Sequence, residues 1–268
     1  MLGKQKNGKL DIKDPINKNR YLWKYFDLHR FLYFITERKL YFTRLDFLED
    51  PYEGTSTSYL RAEAQIEYEL KENKLKNENN KAALENKLKL LKLIKNKNEH
   101  TENQNRQYVN CWYLGDRESM AMWNIYSNED SVAIKIKFET ANEEFYRAFQ
   151  ELISINGKRV DVIGDQIVYL NLNPFNQDTD KQDLEYSALK KDTSYEHEKE
   201  YRFLIYSKKL DNQPLEFEVP ICIDKLELTV ITHPKMNNWK FENIKRMINL
   251  SKVNVKLVKS LIELKSSS

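Results

Sequence analysis

"YEHEKEYRFLI", residues 195–205, is the stretch on which the reading of the fold turns. Taken as a strand, its alternate side chains point to opposite faces. Tyr201, Phe203 and Ile205 share one face, and Glu198, Glu200 and Arg202 share the other. The apolar face has to be covered by packed elements. The face with two carboxylates and a guanidinium is either a solvated salt-bridge ladder or the lining of a cleft. Leu204 continues the charged side, so the polar patch ends in apolar ground, and this argues for the cleft. Neighbouring carboxylates in partial burial perturb each other's protonation, which acid–base and cation-stabilising sites exploit. Glu196, with Thr193, fits a capping box for one helical turn ahead of the strand. His197 points away from the acids and reads as a packing or surface histidine.

Further strands and helices alternate unevenly around this segment. "YLWKYFDL" and "LYFTRL" read as strands on either side of a helix over "HRFLYFITERK", where Phe31, Phe34 and Ile35 have helical spacing. "YVNCWYLG" and the alternating "SVAIKIKF" are strands. Between them "DRESMAMWNIYSNED" is a short helix, apolar nearly all round and therefore buried, with Asp116 as its N-cap. Thr140 and Glu143 form a capping box for a helix running through Ile153. "KRVDVIGDQIVYL" gives one or two strands with a turn at Gly164, and Thr179 and Gln182 open another helix. "PLEFEVPICI", "LELTVIT", a helix over "NNWKFENIKRMINL" and a strand "VNVKLV" complete the chain. The irregular order disfavours a doubly wound parallel sheet. It predicts an α+β fold: a single domain over 1–268 with a mixed, mostly antiparallel sheet and packed helices.

Residues 58–106 stand apart in composition, being rich in Lys, Glu and Asn. Tyr59, Ala62, Ile66 and Leu70 form one apolar stripe, and Leu84, Leu88, Leu91 and Ile94 another. The two predict a helical-hairpin insertion that bends over "KENKLKNENN". Its lysines read as a solvated face with charge pairs, or as a basic arm for a protein or nucleic-acid partner.

A formal net charge of +3 singles out no partner, so a wholly basic nucleic-acid binder is excluded. Only six glycines are present, and they are dispersed, which excludes a glycine-rich phosphate loop. The four histidines are scattered without metal-ligand spacing. Two cysteines, Cys111 and Cys222, are too few for a disulfide scaffold and read as buried free thiols. The start of the chain lacks the apolar core of a signal peptide, and no apolar run is long enough to cross a membrane. These features predict a cytoplasmic protein.

Two further groups could carry chemistry. "LEDPYEG" holds Asp50 and Glu53 on a turn around Pro51, whose ring restricts the backbone. Asp50 could equally serve only the turn. Lys24 lies among Trp23, Tyr25 and Phe26, where an amine meets a planar or anionic ligand or simply packs. Trp123 and Tyr126 share a helix face as core or cleft wall. Oxygen ligation of magnesium by Asp50, Glu53, Glu198 and Glu200 is an alternative that the spacing does not demand, and no metal is expected.

"WKYF", "LYFTRLDFLEDPYEG", "NCWYLGDRESMAMWNIYSNEDSVAIKI" and "HEKEYRFLI" occur in an order that resembles a large bacterial family, domain of unknown function 2971. The chain departs from that pattern at Glu49, where the family has a small residue or Asn, and at Tyr52, where it has Phe. The order of elements is also similar to the ADP-ribosyltransferase fold. That resemblance implies NAD as substrate and Glu200 or Glu198 as the acid that stabilises the developing cation. Tyr25 or Tyr126 would stack on nicotinamide, and Lys24 or Arg44 would hold phosphates. It implies an NAD-consuming toxin or phage-defence effector. The rivals are a metal-dependent nuclease or phosphodiesterase and a non-catalytic binding module.

Overall fold

The alternation read at 201–205 governs the centre of the molecule. The computed structural model of the chain describes residues 8–15, 20–50, 53–55, 57–75, 80–172, 186–208 and 214–263. In chain order the elements are β1 (Leu10–Ile12), β2 (Tyr21–Phe26), α1 (Leu28–Glu37), β3 (Lys39–Arg44), α2 (Thr57–Leu75), α3 (Asn80–Gln104), β4 (Gln107–Gly115), α4 (Met120–Tyr126), β5 (Val132–Lys137) and α5 (Phe138–Asn156). There follow β6 (Val160–Gln166), β7 (Val168–Leu170), β8 (Lys190–Asp192), β9 (Glu200–Ser207), β10 (Glu216–Pro220), β11 (Thr229–Thr232), α6 (Asn238–Ser251) and β12 (Lys256–Lys259).

Ten strands form one sheet in the order β1-β6-β9-β4-β2-β5-β11-β12, with β3 paired to β4 and β10 to β3. The pairs β1–β6 and β11–β12 are parallel and the others antiparallel. β7 and β8 make a separate parallel pair. The fold is α+β with a mixed, mostly antiparallel sheet.

The two faces of the sheet differ. On one, Leu22, Phe26, Trp112, Leu114, Tyr201, Phe203 and Ile205 meet Phe138, Phe145 and Phe149 of α5 in the main core. Phe145 meets the Phe203 ring edge-on at 5.1 Å. The other face carries two smaller apolar clusters. Val109, Ile163 and Leu204 pack with Leu45, Ala188 and Leu189 in one. Trp23, Ala133 and Ile231 pack with Trp123 in the other.

β4 has a seam. β2 pairs with it at Tyr113–Gly115 and β3 at Tyr108 and Val109, which leaves residues 110–112 without a strand partner on that side. Side chains take over there: Lys24 Nζ donates to the Cys111 carbonyl at 2.8 Å, and Asn110 Nδ2 donates to the Tyr41 carbonyl at 2.6 Å.

Several local expectations are corrected. Ser119, not Asp116, caps α4. α4 is buried at Met122 and Trp123 but exposed at Ile125 and Tyr126, so it lies half in solvent. α5 begins at Phe138 without a side-chain cap, so Thr140 and Glu143 lie inside it and form no box. Gly164 sits within β6, where an added Cβ would lie 2.8 Å from the Tyr201 hydroxyl; close approach rather than turning explains the glycine. Residues 193–198 form a 3₁₀ turn capped by Asp192, whose carboxylate accepts from the Ser194 N–H, and not by Thr193. The helix expected from Thr179 lies outside the described residues.

The helical hairpin is inserted between β3 and β4. α2 runs on to Leu75, so residues 71–75, expected in the bend, are helical. Its helices join through a Lys89–Glu69 ion pair at 3.0 Å and the stacked rings of Tyr59 and His100, 4.6 Å apart. Ile66 faces inward, but Leu88, Leu91 and Ile94 are 59%, 54% and 49% exposed. The second apolar stripe therefore points to solvent and not to α2. Among the described residues, no helix is long and apolar enough to cross a membrane.

Candidate functional site

The charged side chains of β9 fall between the two apolar clusters of the second sheet face. Register places Arg202 opposite Cys111 and Glu200 opposite Tyr113 on β4. Glu200 and Arg202 are two residues apart on one strand, so their side chains rise side by side. Arg202 Nε and Nη2 donate to Glu200 Oε1 and Oε2 at 2.5 and 2.9 Å, a bidentate pair. Nη1 donates to Glu53 Oε1 at 2.6 Å and to the Ala188 carbonyl at 2.8 Å. Arg202 is 1% exposed, and its three donor nitrogens are all engaged.

Glu53 is tied back to Asp50 on its way to Arg202. Its N–H donates to the Asp50 carbonyl at 3.0 Å. Gly54 follows at φ +68°, and a Cβ there would fall 2.2 Å from Leu45 Cδ2, so only glycine fits. Gln104, at the foot of α3, donates to the Glu53 carbonyl at 2.7 Å.

Glu198 joins by a different route from the one its sequence position implies. It ends the 3₁₀ turn, and Lys199 in the left-handed region (φ 42°) separates it from β9. It is therefore not a strand neighbour of Glu200. Its carboxylate accepts from the Tyr126 hydroxyl and, at 2.7 Å, from Lys191 Nζ. Lys191 also lies 3.6 Å from Glu53 and 3.9 Å from Glu200, so one ammonium serves all three acids. The same ammonium stands 4.4 Å from the centre of the Tyr195 ring. Asp50 stands at this edge: its charge, followed by burial, raises the Tyr195 hydroxyl pKa.

The electrostatics follow from burial set against charge. Burial pushes the Glu200 carboxyl up, but Arg202 and Lys191 more than reverse this and hold it below the usual carboxylate range. Burial works against the Lys191 ammonium, yet the surrounding carboxylates raise its pKa, and Arg202 is likewise held charged. Burial and then the Glu198 carboxylate keep the Tyr126 hydroxyl protonated well above its ordinary range. Burial also raises the Cys111 thiol, with the Glu200 charge adding to it, so this cysteine is not activated as a nucleophile. Glu53, Glu198 and Glu200 face Arg202 and Lys191 in the network, three acids against two cations. Lys24 comes next: burial lowers its amine to about 8, and the Glu200 charge opposes that fall.

Glu53, Glu198, Glu200 and Arg202 are thus brought together, with Asp50 and Tyr126 at the edge. Three expected ligand-binding residues lie elsewhere. Arg44 is held by Asp46 at 2.6 and 2.9 Å and covers the Phe47 ring. Trp123 is fully buried, with its indole N–H donating to Glu118. Tyr25 packs edge-on to Trp123, and its hydroxyl accepts from the Ser119 N–H. Both aromatics belong to the core cluster. Lys24 is spent on the Cys111 carbonyl, so neither expected phosphate-binding cation faces Glu198.

Lys191, Tyr195 and Tyr169, whose hydroxyl accepts from the Glu200 N–H at 2.8 Å, were not anticipated. One signal for Lys191 was available: buried acids need matching cations, and Lys190 and Lys191 stand shortly before them. With these cations in place, no three His, Cys, Asp or Glu among the described residues are grouped to hold a metal ion. Comparison with protein-family models, with curated proteins and with solved structures returns no match.

Proposed function

We propose that this chain consumes NAD, as a transferase or a glycohydrolase, with Glu198 as the carboxylate beside the reacting carbon. The observation that carries the reading is the placement of Glu198. One of its oxygens accepts from Tyr126, the other from Lys191 beneath the Tyr195 ring. Tyr126 is 45% exposed while Glu198 and Lys191 are 4% and 8%, so the network reaches the surface through this tyrosine. A fixed carboxylate near aromatic rings suits a planar cationic ring attached to a sugar. As the bond between ribose C1′ and the nicotinamide nitrogen breaks, its electron pair goes to the ring and neutralises it. Positive charge develops at C1′, and Glu198 stabilises it. Water or an acceptor then bonds to C1′ and loses a proton. Glu200, bound at both oxygens by Arg202, serves to position that arginine.

Purified chain incubated with NAD should release nicotinamide, and Glu198→Gln should lower the rate by about 100-fold or more. Arg44→Ala should leave it unchanged. A folded wild-type chain that releases no nicotinamide would overturn the reading. Cellular NAD depletion on expression would place the activity in a toxin or phage-defence role. The nuclease alternative draws less support, because the carboxylates it would use are already matched by Arg202 and Lys191.

A further inference from the structure

The outer face of α3 is built for contact. Leu88, Leu91 and Ile94 recur at intervals of three residues and all point outward, each about half exposed. The inner side of the helix is accounted for by Lys89, which pairs with Glu69, and by His100, stacked on Tyr59. Lys87, Lys92 and Lys95 are exposed, and helical spacing puts Lys87 on one side of the apolar stripe and Lys92 and Lys95 on the other. Among the described residues Lys95 makes a long, exposed pair with Glu99 at 3.7 Å.

We propose that this face, over residues 87–97, docks an acidic amphipathic helix of a partner protein. Such a helix covers the leucines with its apolar side and meets the lysines with its flanking carboxylates, so both features are used at once. Charge argues against a second copy of this chain, since antiparallel self-pairing about Leu91 sets Lys87 opposite Lys95. A nucleic acid would use the lysines and leave the stripe wet. A membrane surface is a poor fit, because the stripe spans only about 9 Å of helix and residues 87–97 contain no aromatic anchor. The foot of α3 is bonded to both loops that hold Arg202. Gln104 donates to the Glu53 carbonyl, and Asn103 donates to the Ser187 hydroxyl, next to Ala188.

The test uses the full chain and a fluorescent peptide of about three heptads with Leu at the a and d positions and Glu at e and g. Anisotropy should show saturable binding that weakens with added salt. Leu91→Glu should weaken it by about tenfold or more without changing the thermal unfolding midpoint. The same peptide with Lys in place of Glu should not bind. The double variant Lys87→Glu, Lys95→Glu should reverse that preference, which gives a second reading independent of Leu91. Four results would each overturn the proposal: no saturable binding, binding indifferent to Leu91→Glu, self-association through the stripe, or stripe-dependent binding to phosphatidylserine vesicles or duplex RNA in preference to the peptide.

Discussion

The two ends of the charged network are built from the same residue types and do different work. At the Arg202 end every guanidinium nitrogen is engaged, by Glu200, Glu53 and the Ala188 carbonyl. Nothing there is left over for a ligand. At the Lys191 end one ammonium is shared among three carboxylates, and an exposed tyrosine closes the array. Saturation marks a structural tie; shared, asymmetric bonding beside an exposed tyrosine marks a group that can exchange partners. Bonding pattern separates the roles where burial does not, since Glu198 and Glu200 are 4% and 5% exposed.

The largest expected effect tests the saturated end. Arg202→Met leaves Glu200 and Glu53 buried without their main cation. Breaking a buried pair from one side costs about 3–5 kcal/mol, and urea unfolding should show a loss of that size. A loss below about 1 kcal/mol, the range of surface pairs, would erase the contrast between the ends.

A smaller effect concerns Lys24, which lies behind the network in the seam of the sheet. Its folded pKa of about 8 lies below the ordinary lysine value of 10.5. Between those values the unfolded chain holds a proton that the folded chain has released. Stability should therefore rise with pH across the window from about 8 to about 10.5, by about 1–3 kcal/mol. Lys24→Met should remove that increment, as measured by the difference between the two chains across the window. Equal pH profiles would show that the amine is solvated.

The smallest stability effect is expected at the shared end, although Glu198 is itself buried. Glu198→Gln leaves Lys191 with Glu53 and Glu200 nearby, so the loss should be about 1 kcal/mol or less by thermal or urea unfolding. A loss as large as that of Arg202→Met would make Glu198 structural and remove the division of roles.

The pairing of Glu200 with Arg202 was legible in the sequence because a strand's period of two is rigid. The apolar partners Tyr201, Phe203 and Ile205 were legible for the same reason. Glu198 was named among the acids but misplaced on the strand, because a 3₁₀ turn and a left-handed residue can mimic strand alternation on paper. Lys191 escaped because its partners are reached through an irregular turn with no period to count. On α3, spacing revealed the stripe at Leu88, Leu91 and Ile94 but not its direction, since periodicity gives a face and not what lies against it. Trp123 and Tyr126 show the same limit at close range: three positions apart on one short helix, one is core and the other rim.

Lys199 separates the two acids by a single residue held at φ 42°. That backbone angle turns Glu198 toward Lys191 and Tyr126 while Glu200 stays beside Arg202, so a β-branched side chain at 199, which resists the angle, would swing Glu198 off its lysine while leaving the strand beyond it in register.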